Sequence, residues 1–447
     1  MLTPADPKSK PKLRIAIIGG GIGGLTLAVA LCQMKLDNYV VVDLYESTAK
    51  LMQVGAGISF WPRGWEVIEC MGLGEPLRKH LSPGQGTTPD ELQTVLKLRK
   101  GDQNPGAHLV DIKMKGGGYS FHRADVQDVL LAHLSPCVTL HLSHRLGSYK
   151  QVDDHLELGF KDGKTATCDF LIGADGVNSA VRRSMLTNGR DDLTQAEKEA
   201  LYKPVWTGGV TYRALIDAEV VRKEMPNHSV FESPILYGGK NKHVILYAIS
   251  GGKIINAVPF FIDPTKDGTQ YEGQVVVEET TDDIPAVYAG WEDEVQIIIK
   301  NITKASRWAI QQVKPLDSYV SGRVGLLGDA AHAMPPHLGN GAGQAIEDAF
   351  ILANLISKDV RSPNPNPARA LEVYDTIRQP FGNFVARASK HQGNLDDFVV
   401  PGFEDLKEGQ ELPPETLKKH GEALDKGWEW TWTTSLMGDL EKALAML

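Results

Sequence analysis

The stretch Leu13 to Glu46, LRIAIIGGGIGGLTLAVALCQMKLDNYVVVDLYE, constrains this chain more than any other. Leu13 to Ile18 is an apolar run of the kind a buried parallel strand shows, and it ends in G-x-G-x-x-G at Gly19, Gly21 and Gly24. Leu25 to Met34 is apolar and free of breakers, so a helix follows; Asp37-Asn38 turns the chain, and Val40 to Leu44 is a second strand closing on Glu46. This is a βαβ unit carrying the dinucleotide fingerprint. Gly19 allows the tight turn, Gly21 lets backbone approach a pyrophosphate, and Gly24 seats the helix close on the strand. The helix N-terminus offers unpaired N–H groups and the positive end of its dipole. Glu46 stands about 20 residues beyond the glycines, where a carboxylate accepts from ribose hydroxyls. FAD and NAD share this fingerprint, so other segments must choose between them.

A chain of 447 residues holds two or three domains. With 23% charged residues and a net charge of −9, it has no basic footprint for nucleic acid or an anionic membrane. The four cysteines (Cys32, Cys70, Cys137, Cys168) are scattered along the sequence, which predicts reduced thiols and a cytoplasmic setting rather than a disulfide framework or zinc site. The opening MLTPADPKSKPK lacks the apolar core of a signal peptide, and no run approaches the ~18 apolar residues of a membrane span.

Small residues from Val54 to Ile58, including Ala56 and Gly57, suit close approach to a flat ligand. Arg63 to Leu73 reads as an amphipathic helix, 96–100 and 108–114 as strands of a second sheet, and the segment from Ala124 as a helix. Val138 to Leu142, His155 to Phe160 and Thr165 to Cys168 read as hairpin strands, and residues 190–204 as a surface excursion. Val205 to about Asp263 alternates as an antiparallel sheet. Ile284 to Ile310 reads as helical, the acidic stretch 278–283 as a solvated boundary, and 368–392 as a helix followed by a Trp-rich tail.

Two further strand ends carry glycine turns, Asp175-Gly176 and Gly328-Asp329. Strand C-termini in an open α/β sheet converge on one crevice, so an elongated cofactor such as FAD can meet all three motifs. Asp329 is placed to accept from ribityl hydroxyls. The loop from Pro335 to Gly343 opens a helix whose N–H groups can stabilise negative charge on a reduced flavin.

The blocks IGGGIGGLTLA, HRADVQDVLL, LIGADGVNSAVRR and LLGDAAHAMPPHLGNGAGQAIEDA together resemble the signature set of the single-component FAD-dependent aromatic hydroxylases, which have the para-hydroxybenzoate hydroxylase fold; the salicylate-hydroxylase-like subgroup is the nearest in pattern. The similarity runs from about Leu13 to Arg387, and the Trp-rich tail resembles that subgroup's C-terminus. It implies a three-layer α/β FAD-binding domain formed by 13–82, 105–188 and 284–360. A mixed β-sheet substrate domain (83–104 and 189–283) and a helical C-terminal region (361–447) complete the implied architecture.

The resemblance further implies that Glu46 holds the adenosine ribose, that Ala56 and Gly57 line the flavin side, and that Arg123 reaches toward the pyrophosphate or ribityl chain. Asp175 and Gly176 belong to a motif tied to both FAD and NAD(P)H. Asp329 holds the ribityl chain, Gly341 and Ala342 lie near the isoalloxazine, and Pro336 stands beside flavin and substrate. Arg213 and Tyr247 fall where related phenol hydroxylases orient a phenolate; the competing reading is a structural ion-pair arginine and a core tyrosine. A cation lowers a phenol's pKa, and the phenolate is the better nucleophile toward a flavin C4a-hydroperoxide. His243 is a proton relay or, more simply, an exposed strand histidine. His332 and His337 suggest no metal. WPRGW puts Arg63 where many relatives carry Asn, at the substrate mouth, where it or Arg213 can hold an anion.

The expected reaction is hydroxylation of a phenolic ring with NADPH or NADH and O2, through oxidative decarboxylation of a salicylate-type hydroxybenzoate or, alternatively, ring hydroxylation or dearomatisation of a phenolic secondary metabolite without loss of CO2. The rivals are a flavin epoxidase or oxidase acting on an aliphatic substrate, and an FAD-binding scaffold without turnover. The expected assembly is a monomer or homodimer.

Overall fold

The computed structural model describes residues 13–51, 57–81, 90–279, 281 and 284–447. Leu13–Ile18 forms the middle of a six-stranded sheet ordered Val320–Ser321, Val324–Leu326, Phe170–Gly173, Leu13–Ile18, Val40–Tyr45, Val138–His141. Apart from the antiparallel pair at 320–326, its neighbours run parallel. Ile15, Ile17, Leu171 and Ile172 are fully buried, so Ile15 to Ile18 and Phe170–Gly173 are continuous apolar runs, whereas Val40–Tyr45 buries Val42 and Leu44 and turns Val41 to solvent. Helix Ile22–Gln33 is buried on every side from Ile22 to Leu31, packed between this sheet and helices Gly341–Val360 and Arg123–Ala132. The ends of three adjacent strands therefore place Gly19, Ala174 and Leu327-Gly328 side by side.

The second sheet has eight strands, in the order Val276–Glu279, Ala305–Gln312, Val205–Asp217, Ile254–Ile262, Lys242–Ile249, Ile235–Gly239, Leu92–Lys100, Ala107–Lys115. It is mixed, because Ile235–Gly239 runs parallel to Leu92–Lys100 and the other pairs are antiparallel. Helices Pro367–Asp396, Pro414–Trp428 and Met437–Met446 close the chain. Among the described residues, no helix is long and apolar enough to cross a membrane.

Several expectations change. Val138–His141 is not a hairpin strand; it pairs parallel to Val40–Tyr45, with His141 stacked on Tyr45 at 4.6 Å. The antiparallel partners of His155–Phe160 are Leu146–Val152 and Thr165–Cys168. Local alternation gives a strand but not its neighbour. The segment 284–310 is not continuous helix: after Ile284–Val287 and Asp293–Lys300 it becomes the strand Ala305–Gln312, held between Val205–Asp217 and Val276–Glu279. Residues 107–115 and 305–312, read from sequence as part of the FAD-binding segments, thus lie in the eight-stranded sheet. The excursion at 190–204 contains helix Gln195–Tyr202, started by a capping box of Thr194 and Glu197. Cys32 and Cys137, distant in sequence, are free thiols with Sγ atoms 2.7 Å apart.

Candidate active site

A cavity of about 770 Å³ opens where the two sheets meet, a size ordinary for a cofactor or ligand site. One end is formed by the fingerprint. Gly19 has φ +111°, and a Cβ there would lie 2.2 Å from Ala174 O. A Cβ on Gly24 would lie 2.0 Å from Gly19 O, whereas one on Gly21 would meet nothing within 4 Å and would point into space. Gly19 and Gly24 therefore serve the fold, and Gly21, on the cavity wall, leaves room for a ligand.

Glu46 is not on that wall. Its carboxylate accepts from the N–H groups of Gly20 (2.9 Å) and Thr48 (2.8 Å) and from the Ser47 and Thr48 hydroxyls, tying the fingerprint loop to the second strand. Burial alone would raise its pKa; these hydrogen bonds outweigh it and hold the carboxyl below its ordinary range.

Ala56 lies outside the described residues. Gly57 lines the cavity, and its missing side chain matters: a Cβ would fall 2.1 Å from the Tyr247 hydroxyl. Arg123, the first residue of helix Arg123–Ala132, faces the cavity and is exposed. Asp175 corrects the sequence reading. Its carboxylate is turned from the cavity and accepts from Ser179 Oγ, Ala180 N (2.7 Å) and Val181 N (3.2 Å), capping helix Ala180–Gly189, while burial raises its pKa. Its neighbour Gly176, at φ +77°, is the one that lines the cavity. Asp329 lines the cavity, exposed and at the start of the turn Asp329–His332. Pro336, Gly341 and Ala342 share the same wall, with Gly341 opening the 20-residue helix Gly341–Val360 toward the cavity.

Arg213 and Tyr247 come from neighbouring parts of the eight-stranded sheet and both face the cavity. The ion-pair alternative for Arg213 is not what is seen: among the described residues it has no carboxylate partner, and its guanidinium lies 4.5 Å over the Trp308 ring. Burial lowers its pKa, and the neighbouring Arg123 adds to that lowering. Burial raises the Tyr247 pKa, opposed by Arg213 and by a hydrogen bond with Asn256.

Two other expectations do not hold. Arg63 is 3% exposed and away from the cavity; it pairs with Glu347 (3.2 Å) and Asp439 (2.8 Å), and its guanidinium lies 4.3 Å over Phe381. It cannot hold a substrate anion. His243 is 2% exposed rather than surface, with Nδ1 2.7 Å from Asp397 Oδ1.

Sequence reasoning missed the supports of the loop. Asp348 accepts from Gly328 N (2.9 Å), His332 Nε2 (2.7 Å) and Arg378 Nε (2.7 Å), and Arg378 also reaches Glu347 and Gln344. Arg182, fully buried, donates to Ala330 O (3.1 Å) and Ala331 O (2.9 Å), and burial lowers its pKa to about 10. Trp61 Nε1 donates to Leu338 O at 2.7 Å. The signal was present in the Glu347-Asp348 and Arg182-Arg183 pairs of the quoted blocks, but neither pair names its partner.

A strand-to-helix glycine loop with open space above it, a facing arginine, an exposed carboxylate at Asp329 and a helix N-terminus at Gly341 suit an elongated cofactor with a pyrophosphate, a polyhydroxyl chain and an electron-accepting ring. The comparisons agree. The model of the family described as FAD binding domain matches residues 12–208 and 232–389. A salicylate hydroxylase of Pseudomonas putida is 33% identical over 449 residues, covering 98% of this chain and 96% of the relative. A 6-methylsalicylate 1-monooxygenase of Aspergillus terreus is 33% identical over 379 residues, covering 82% and 79%. A solved salicylate hydroxylase substrate complex superposes with a TM-score of 0.79 at 29% identity, covering 97% of this chain and 98% of that one. The chain belongs to the FAD-dependent aromatic hydroxylases that share this FAD-binding domain.

Proposed function

We propose that this monooxygenase acts on a hydroxybenzoate of the salicylate type, using NAD(P)H and O2 in the cytoplasm, with replacement of the carboxylate by a hydroxyl and release of CO2. Bound FAD accepts hydride and activates O2; the protein's residues bind, orient and exclude water. The fingerprint with Arg123 would hold the pyrophosphate, Asp329 the ribityl hydroxyls, and Pro336, Gly341 and Ala342 the ring edge.

The observation that carries the substrate reading is Arg213. A half-buried cation with no carboxylate partner among the described residues, beside the aromatic and aliphatic wall of Tyr247, Ile245, Val258 and Phe260, suits an anion supplied from outside. A benzoate carboxylate or a phenolate meets that need. Arg213 would hold the phenolate form, and the Tyr247 hydroxyl, kept protonated by burial, would donate to it. The salicylate and 6-methylsalicylate activities of the two relatives support the same class.

The test is NADH and NADPH oxidation by FAD-loaded protein against salicylate, 3- and 4-hydroxybenzoate and an acylated resorcinol, with product mass and CO2 recorded. Salicylate should stimulate oxidation and yield a product that has gained one oxygen and lost CO2. Gain of oxygen without CO2 moves the reading to simple ring hydroxylation; no stimulation by any phenol removes the phenolic substrate. Arg213→Met should raise KM for the effective phenol about 10- to 100-fold, the loss of one charge-assisted contact of roughly 1.5–3 kcal/mol. An unchanged KM would assign the arginine a structural role.

A further inference from the structure

Two half-buried thiols meet at the edge of the parallel sheet, outside the cavity and unused by the chemistry proposed above. Cys32 stands in the last turn of helix Ile22–Gln33, the helix that the fingerprint opens, and Cys137 directly precedes the edge strand Val138–His141. The two are 105 positions apart in the chain, yet their Sγ atoms lie 2.7 Å from one another. From there a small turn of either side chain reaches the ~2.05 Å of a disulfide bond. Ser135 Oγ donates to the Cys137 sulfur at 2.9 Å and holds it in place beside Cys32. The other two cysteines make no such pair: Cys70 is exposed and meets Met437 Sδ at 4.0 Å, and Cys168 is buried.

We propose that Cys32 and Cys137 form a peroxide-sensitive modification site, a reversible disulfide that ties the fingerprint helix to the edge of the parallel sheet and locks the cofactor end of the cavity. The inference is independent of which substrate the enzyme takes. The oxidant is hydrogen peroxide. The Cys32 sulfur gives its proton to water and attacks one peroxide oxygen; the O–O bond breaks, and the departing hydroxide takes up a proton to become water. This leaves Cys32 as a sulfenic acid. The Cys137 sulfur then attacks the Cys32 sulfur, the S–S bond forms, the S–O bond breaks, and a second water leaves with the Cys137 proton. Two electrons pass from the two sulfurs to one peroxide. A dithiol reverses the reaction by exchange.

The order of the two sulfurs follows from their surroundings. Burial, with the adjoining Cys32 sulfur, pushes the Cys137 thiol up to about 12 against the opposing Ser135 hydroxyl. Cys137 therefore stays protonated at neutral pH, which leaves Cys32 to meet the peroxide and Cys137 to resolve it. The position of the pair decides what the bond does. The loop it closes carries Gly57, Trp61 and Arg123 of the cavity wall, and the helix it anchors begins at Ile22, beside Gly21 and Gly23 of the same wall. That helix already packs on helix Arg123–Ala132. A covalent bond across the loop takes conformational freedom from the unfolded chain, so the two halves of the cofactor end separate less readily.

The experiment treats the full-length, FAD-loaded protein with hydrogen peroxide and reads intact mass, then maps peptides without reduction. The protein should lose two hydrogens, yield a peptide linking Cys32 to Cys137, and return to its starting mass with dithiothreitol. On heating, release of FAD, read as recovered flavin fluorescence, should move up by about 3 °C or more in the oxidised protein. Cys137→Ser should show no such rise, and its Cys32 should go on to the sulfinic acid. Sulfinic acid at Cys32 in the wild type, or a link from either cysteine to Cys70 or Cys168, overturns the pair. A Cys32–Cys137 disulfide that leaves the temperature of FAD release unchanged overturns the lock. Should the variant fail to fold, the wild type before and after dithiothreitol gives the same decision.

Discussion

At the scale of single residues, the fingerprint glycines separate into two physical jobs, and that separation is testable. Gly24→Ala forces a Cβ to 2.0 Å from a backbone oxygen that no side-chain rotation can move. It should cost at least about 2 kcal/mol of stability by urea unfolding of the apoprotein. Gly21→Ala meets no protein atom. Its apoprotein should unfold within about 0.5 kcal/mol of wild type, while FAD retention, read from flavin absorbance per mole of protein, falls. Equal damage from both substitutions would show that Gly21 is structural. Side-chain direction at this scale was only partly legible. Arg213, Tyr247, Asp329 and the loop residues face the cavity, but Asp175 caps a helix and Arg63 is buried against Glu347 and Asp439. A motif identifies the turn; which way a side chain leaves it depends on donors and carboxylates far away in sequence.

Elements meet at Asp348, which joins the Gly328 turn, the helix Gly341–Val360 and the helix Pro367–Asp396. Burial would raise its pKa, but the charges of His332 and Arg378 prevail and bring it to about 2. A folded pKa below the unfolded value contributes stability that is complete above about pH 4 and is lost as pH falls toward 2, on the order of 2 kcal/mol. Asp348→Asn should remove that acid limb from the pH dependence of unfolding and destabilise the protein at pH 7 by about 3 kcal/mol, because Arg378 is left buried with less compensation. An acid limb identical to wild type would locate the titration elsewhere. At this scale strands and helices were largely readable, and the exceptions share one cause. Ala305–Gln312 is strand because two neighbouring strands supply its hydrogen bonds, and Val138–His141 is parallel because the edge of the first sheet was free to receive it.

At the scale of the molecule, one cavity draws its lining from the crevice of the parallel sheet and from the face of the mixed sheet, so cofactor and folding are linked. FAD at 100 times its Kd should add about 2.7 kcal/mol to stability, seen as a concentration-dependent rise in unfolding temperature. Gly21→Ala should lose most of that increment and Arg213→Met should keep it, since Arg213 is assigned to substrate. A flavin-independent unfolding temperature would contradict the cradle. What the sequence by itself determined was the local chemistry: the βαβ fingerprint, the glycine turns at three strand ends, the apolar runs of a buried parallel sheet and the cofactor they suit. Each depends on residues within a few positions of one another. Only the tertiary structure decided the pairing of distant groups: Asp348 with Arg378, Arg63 with Glu347, His243 with Asp397, and Arg213 with no carboxylate among the described residues. Electrostatic partnership acts through space, and spacing along a chain does not encode it.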